Sequence, residues 1–580
     1  MRRKITVPGD GHPVIPLLAQ LVAPPLQNSP VRLPGPDAGL QRPLKQQRSP
    51  TPVPVDVESE PAPGAKPTPA PAPEPGSGGA QEPPAVQGLT VYSPAELARI
   101  LSGCGSAASN TAERLKQCAA ALTARLVADG YVNTRVYVND TPAPGRLEVV
   151  EGRIVELRVK SEDPRLARKV QRLLLPLQGS ILHLPTVGEQ LQLLKQVPGI
   201  SNVRGNLSRL GSDPAQGVFT VSLERGTTPW QGEFSIRNDG SNGSGEARAV
   251  GTVVKADLAA AGDTLLLYGE LDSDTTPSLG AVISSISYTF PLSDSWSLTG
   301  SFGYSRRNLV ELVGDIATNQ FQGLGQLEWV FRETLSQRWS LFAGFSGNRS
   351  NMYVEGKPFP RTFGVKRVPA KDREPRNGYM RMGINANGIN GPIGWGGSAY
   401  VLQGIASATN TQQRQELALV GINPGTATAL GGLASAAWGL TPRWLLSVRA
   451  AGQWALAPLM NSMQFSVGSD AGIRGLPGQL ISGDSGWLST AEASWTVWQG
   501  KRNRLQLVPF IGIGGVQSAF KRLTVSDTVG SGGLLARWLQ GEHWALELGW
   551  VDQFQTDDNI GAWTDWTLAN GLYAQVKFRF

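Results

Sequence analysis

The sequence predicts a mainly β protein, with a transmembrane β-barrel of about 16 strands behind two small β-α-α-β-β domains and a disordered Pro-rich head. Three observations carry this. Of the 42 prolines, 21 lie in residues 1–84. None of the 16 tryptophans precedes Trp230. From residue 229 onward, apolar residues recur with period two.

The head, residues 1–86, contains runs such as Pro67-Thr-Pro-Ala-Pro-Ala-Pro-Glu-Pro75 and Gly76-Ser-Gly-Gly79. Such runs bury too little apolar surface to offset backbone ordering, so a tether is expected. Met1-Arg-Arg-Lys4 resembles the basic start of a signal peptide, but Pro8-Gly9-Asp10 follows it. Val14–Ala23 is a weak apolar core broken by Pro16 and Gln20, so the signal is either degenerate or missing from this start. Val14–Val22 is also the one short candidate for a lumen-plugging helix.

The first small domain spans 87–153. Val86–Tyr92 reads as a strand, Ser93-Pro94 as a helix start, and Asn110 with Glu113 as a capping box. Leu115, Ala119, Leu122 and Leu126 form one helical stripe, and Gly130 ends it. Val132, Thr134, Val136 and Val138 alternate as a strand, and Gly152 breaks the next run. The second domain, 154–226, repeats the order: strand 154–160, helices 163–175 and 185–197, strands 200–210 and 217–224. Cys104 and Cys118 are candidates for a disulfide closing a loop of about 15 residues, against two buried thiols flanking a helix. No other cysteine offers a metal partner, which favours the disulfide.

In the barrel, 229–580, Trp296, Leu298, Phe302 and Tyr304 share one parity, and Ser295, Ser297, Thr299 and Ser301 the other. The last strand is clearest: Leu572, Ala574, Val576, Phe578 and Phe580 alternate with Tyr573, Gln575, Lys577 and Arg579. A soluble sandwich also alternates. Tryptophans near strand ends, the absence of a helical interlude and the aromatic end separate the readings. At about 22 residues per strand and loop, the region holds about 16 strands and a water-filled lumen.

Several function classes are excluded. No stretch approaches the ~18–20 apolar residues of a transmembrane helix. The net charge of +7 is spread along the chain without a basic, aromatic-interleaved block, so nucleic acid is not an expected partner. Three histidines are too few and scattered for a metal site, and no G-x-x-x-x-G-K-[S/T] occurs. No nucleophile–base pair stands out, so neither enzyme activity nor a cofactor is expected.

Two such domains ahead of a barrel resemble the transporters of two-partner secretion, the haemolysin secretion/activation family, whose small domains are called POTRA (polypeptide-transport-associated) domains. Val149-Val-Glu-Gly-Arg-Ile154, Leu194-Lys-Gln-Val-Pro-Gly-Ile200, Ile236-Arg-Asn-Asp-Gly240 and Ser287-Tyr-Thr-Phe-Pro-Leu292 carry the likeness. The most specific stretch lies in 465–487, where Ile473-Arg474-Gly475-Leu476 resembles the tip of the family's in-folding sixth extracellular loop. The resemblance implies that Arg474 meets an aspartate two residues after a Phe on a following strand. Phe510 keeps that frame, but Gly512 stands at the acidic position and Gly514 follows. Parity points Glu492, one strand earlier, into the lumen, so Glu492 is the expected partner, with Gly512 leaving room for it. Phe578 and Phe580 resemble the signal read by the barrel-assembly machinery. The resemblance further implies an outer-membrane transporter, surrounded by lipid, with periplasmic N-terminal domains that capture one large unfolded partner protein for export. A general outer-membrane assembly factor and a passive porin are the alternatives.

Overall fold

The computed structural model describes residues 55–57 and 83–580, except 103, 105–110, 143, 196, 198–199, 212, 227–229, 242–243, 261, 274–278, 310–315, 355–356, 359–374, 479, 521–522 and 556–565. The candidate signal residues, most of the Pro-rich head and the expected cap Asn110 lie outside these. Two compact units divide the described chain, one ending at Gly226 and the other running from Thr227 to Phe580.

The first unit opens with strand β1 (Val55–Val57) and continues through β2 (Ala85–Gln87), α1 (Pro94–Leu101), α2 (Thr111–Ala128), β3 (Arg135–Asn139) and β4 (Arg146–Val150). β2 is shorter than the Val86–Tyr92 run suggests, because Gly88 takes a left-handed conformation (φ 81°) and ends the extended backbone. The strand expected from Val132 likewise begins only at Arg135. Helix α1 carries a capping box of its own: Ser93 accepts from the Glu96 amide, and the Glu96 carboxylate accepts from the Ser93 amide. The Ser93 hydroxyl and amide hold that carboxylate below its ordinary range. Leu115, Leu122 and Leu126 of α2 pack with Leu147 and Val149 of β4, which order β2-β4-β3 makes the central strand. A disulfide joins Cys104 to Cys118 inside this core.

The same unit goes on through β5 (Arg153–Lys160), α3 (Pro164–Leu174), α4 (Leu184–Leu194), β6 (Ile200–Leu210) and β7 (Asp213–Arg225). Helix α4 ends three residues before the expected Val197 and starts one earlier. The sheet order is β1-β6-β7-β5. The two subdomains meet at a joint built on His183, whose Nε2 lies 3.0 Å from the Asp129 carbonyl. Its ring packs 4.7 Å from that of Tyr131.

The second unit is a closed antiparallel barrel. Its wall begins with β8 (Gln231–Arg237), β9 (Ala247–Ala256), β10 (Thr264–Ser273), β11 (Leu279–Pro291), β12 (Trp296–Leu309) and β13 (Ile316–Glu333). Next come β14 (Gln337–Val354), the two-residue β15 (Lys357–Pro358) at its tip, β16 (Arg376–Asn390) and β17 (Ile393–Gly404). Helix α5 (Thr411–Leu419), a helical interlude that the sequence reading did not expect, lies in a loop and leads to β18 (Thr428–Thr441) and β19 (Trp444–Ala455). A short hairpin, β20 (Phe465–Val467) and β21 (Ile481–Gly483), precedes β22 (Ser485–Gln499), β23 (Asn503–Phe520), β24 (Leu523–Gln540), β25 (Trp544–Gln555) and β26 (Leu572–Arg579). Leaving out β15 and the β20–β21 hairpin, sixteen strands form the wall. One rim has tight connections such as 391–392 and 442–443, and the other has long ones, including 405–427 and 456–484. Barrels of the outer membrane place the long loops outside the cell.

Period-two patterning becomes a lipid face and a lumen face. Leu298, Phe302, Leu341 and Phe345 stand exposed on the outside, while Thr299, Ser301, Gln326 and Ser346 are buried inside. At the tight rim, Trp296 stacks on Trp329 with centroids 5.9 Å apart, and Trp444 on Trp495 at 5.4 Å. Trp454, Trp487 and Trp550 lie exposed towards the opposite rim. These are two interfacial girdles.

The barrel closes where β26 meets β8 over Gln575–Arg579. Phe580 extends the seam: its N–H donates to the Gly232 carbonyl at 3.1 Å, and the Gly232 N–H donates back at 3.1 Å. Its ring covers Gly232, and Phe578 packs 4.7 Å from Trp544. Deleting Phe580 is expected to block insertion and leave the chain in the periplasm. The check is the heat-modifiable folded band in outer-membrane fractions, and a wild-type level of that band would contradict the expectation.

Candidate functional site: an in-folded loop pinned at two places

The sixth long connection, 456–484, turns its tip into the lumen. Phe465, Val467, Ala471, Ile473, Leu476 and Ile481 bury themselves against Leu488, Val516 and Val529 of the wall. Two glycines shape the tip. Gly472 and Gly475 take φ of 107° and 82°, conformations costly to any residue with a Cβ. Gly475 also lies so close to β25 that a Cβ would come within 2.4 Å of Val551.

Between these glycines and Leu476, Ile473 and Arg474 point to different partners. Ile473 is fully buried over Gly512, where a Cβ would approach its Cγ2 to 2.9 Å. Val467 sits over Gly514 in the same way, at 2.8 Å. The space at Gly512 is therefore filled by Ile473, and not by the Glu492 side chain as the sequence suggested. Phe510 joins a neighbouring cluster with Leu535, Val551 and Tyr573. Placing the aspartate expected from the family pattern, Gly512→Asp, should lower barrel stability despite the added carboxylate, and Ile473→Ala should recover part of the loss. Urea unfolding of the three variants tests this.

Arg474 enters a closed ring of four charges. Its Nη1 donates to Glu547 at 2.5 Å and its Nη2 to Glu492 at 3.1 Å. Arg537 completes the ring, donating from Nε to Glu547 at 2.6 Å and from Nη2 to Glu492 at 2.9 Å. Each carboxylate thus bridges two guanidiniums, with one charge-assisted bond to each. The main chain is held too: the Ser531 hydroxyl donates to the Arg474 carbonyl, and the Gln553 amide to the Gly475 carbonyl, each at 2.5 Å. Glu492, Arg537 and Glu547 project from β22, β24 and β25, so one loop arginine ties three strands.

A second anchor holds the other side of the tip. Arg248 on β9 is fully buried and donates to Asp470 of the loop at 2.6 Å and to Glu270 of β10 at 2.6 Å. Asp272 lies 3.8 Å from its Nε. The Gly478 N–H donates to the Gly240 carbonyl at 2.8 Å, and the Ser469 hydroxyl to the Asp239 carbonyl at 3.4 Å.

Sequence reasoning proposed Glu492 alone for Arg474. Glu547 and Arg537 were missed although both carry lumen parity, opposite the outward Trp544 and Trp538. Arg248, Glu270 and Asp470 were missed altogether. Among the described residues no group of three or more His, Cys, Asp or Glu is placed to hold a metal ion.

A sixteen-stranded barrel with girdles, an inward-folded sixth loop and a preceding pair of small mixed domains defines an outer-membrane transport barrel. The family model of the haemolysin secretion/activation proteins ShlB/FhaC/HecB matches residues 218–532. The chain belongs to that family, and so to the two-partner secretion transporters: an outer-membrane protein with periplasmic N-terminal domains. The outer membrane transporter CdiB of Dickeya dadantii (strain 3937) is 22% identical over 409 residues, covering 67% of this chain and 68% of that protein. The solved structure of CdiB from Escherichia coli covers 88% of this chain and 93% of its own, at 17% identity and a TM-score of 0.55. CdiB from Acinetobacter baumannii covers 86% and 88%, at 14% identity and a TM-score of 0.50. These two structures share the fold.

Proposed function

We propose that the chain captures one large unfolded partner protein in the periplasm and passes it outward through the barrel, without covalent chemistry on the cargo. The observation that carries this reading is the loop folded into the lumen. That loop is held by ion pairs, hydrogen bonds and apolar contacts, all of which can be broken and remade without a covalent step. Two small domains with exposed strand edges supply the capture surface, since main-chain pairing binds extended segments with few side-chain demands. A passive porin has no use for them. The seam residues Phe578 and Phe580 support insertion through the barrel-assembly machinery, and the exposed apolar band supports contact with outer-membrane lipid.

The test is a chain reduced to Thr228–Phe580, co-expressed with a candidate secreted partner. The expected result is a heat-modifiable barrel in the membrane with no partner in the medium. Secretion by this barrel alone would overturn the capture reading.

A further inference from the structure

We propose that the outer edge of β6 is the seat at which an extended partner segment adds as a parallel strand, and that this chain's own Val55–Val57 occupies the seat beforehand. The proposal rests on the capture reading above and names its surface.

Strand β1 pairs with β6 in parallel, Val55 opposite Gly205, Asp56 opposite Asn206 and Val57 opposite Leu207. With the order β1-β6-β7-β5, removal of β1 leaves β6 as an edge strand of 11 residues with one side of its backbone unpaired. Such an edge is a ready template for another chain. In the first subdomain, the edge strands β2 and β3 have 3 and 5 residues and offer far less.

The register shows what kind of segment fits. On β6, Val203, Gly205 and Leu207 are buried, while Arg204, Asn206 and Arg209 are exposed. The occupant reads Val-Asp-Val, so its valines fall opposite buried positions and its aspartate opposite an exposed one. A Cβ on Gly205 would meet Leu191 at 2.8 Å and Phe219 at 3.0 Å, so β6 lies close against the core at the middle of the occupied stretch. The seat therefore takes a strand that alternates apolar residues with acidic or neutral polar ones.

The occupant is built to yield. It pairs over only 3 of the 11 positions. Pro52 and Pro54 precede it and Pro61 follows, and proline cannot donate to a ladder. A partner strand without these prolines can pair along more of β6. What keeps the short occupant in place is its tether, which supplies an effective concentration in the ~mM range.

The test uses the full-length protein in detergent and, as probe, a fluorescent peptide copying residues 51–60. Val55→Pro with Val57→Pro removes two donors from the tethered strand and should tighten peptide binding at least ~10-fold over wild type, read by anisotropy. A peptide carrying proline at those same two positions should not bind. In a third arm, Asp56→Cys with Asn206→Cys staples the occupant in register, abolishing peptide binding until reductant is added, with Asp56→Cys alone as the control for reductant. Absence of binding to the released variant, or equal binding to the stapled one, would overturn the proposal. Because the readout is peptide binding and not secretion, such a failure would leave the capture reading to its own test.

Discussion

Arg474→Ala is expected to cost the folded barrel about 3–5 kcal/mol, the range seen when one member of a buried ion network is removed and its partners stay. Glu547 and Glu492 would then share Arg537 alone, two carboxylates on one guanidinium. The expected phenotype is a folded barrel with a released loop, which melts earlier and conducts small solutes faster than the wild type. The quantity that decides the point is coupling. A double-mutant cycle between Arg474→Ala and Glu547→Ala should show an interaction of about 1–3 kcal/mol, and the cycle with Glu492→Ala a smaller one, following the 2.5 Å and 3.1 Å separations. Strictly additive losses in both cycles would mean that Arg474 does not depend on the ring.

Arg248→Ala is expected to be the more damaging change. It would leave Glu270, Asp272 and Asp470 facing one another in a fully buried place with their shared cation gone. Uncompensated buried charge of this kind costs at least about 3–5 kcal/mol. Little heat-modifiable barrel should accumulate. Combining Arg248→Ala with Glu270→Gln and Asp470→Asn should restore part of it, because the repulsion is then removed along with the cation. Equal loss in the single and triple variants would show that Arg248 acts through packing and not through charge.

The sequence made the wall of this molecule easy to read and its fastenings hard. Parity along a strand is a local property, so Leu572 to Phe580 announced an outward face, and Glu492 could be assigned to the lumen from its own neighbours. Which lumen residues meet is not local. Glu547 and Arg537 share a parity with many other side chains, and only the register of β24 on β25 brings them together as direct partners. The pairing of Arg248 with Asp470 joins residues 222 positions apart, and no periodicity carries that information. Gly512 misled for a related reason. A missing side chain signals that something lies close by, but the identity of the neighbour comes from the path of the loop. Strand β1 was invisible because its three residues sit among prolines, where composition speaks for a tether.

Gly512 and Gly514 also define where on the wall the loop can sit. They lie two residues apart on one face of a strand, as alternate residues do. They receive Ile473 and Val467, which are six residues apart on the loop. Two sockets with unequal spacing on the two sides act as an index: they define position and polarity together. Shifted by one residue, the tip would offer Arg474 or Gly472 to a hollow shaped by a branched hydrocarbon. A loop lifted out of the lumen would find its seat by shape, and the charges would close on a geometry already chosen.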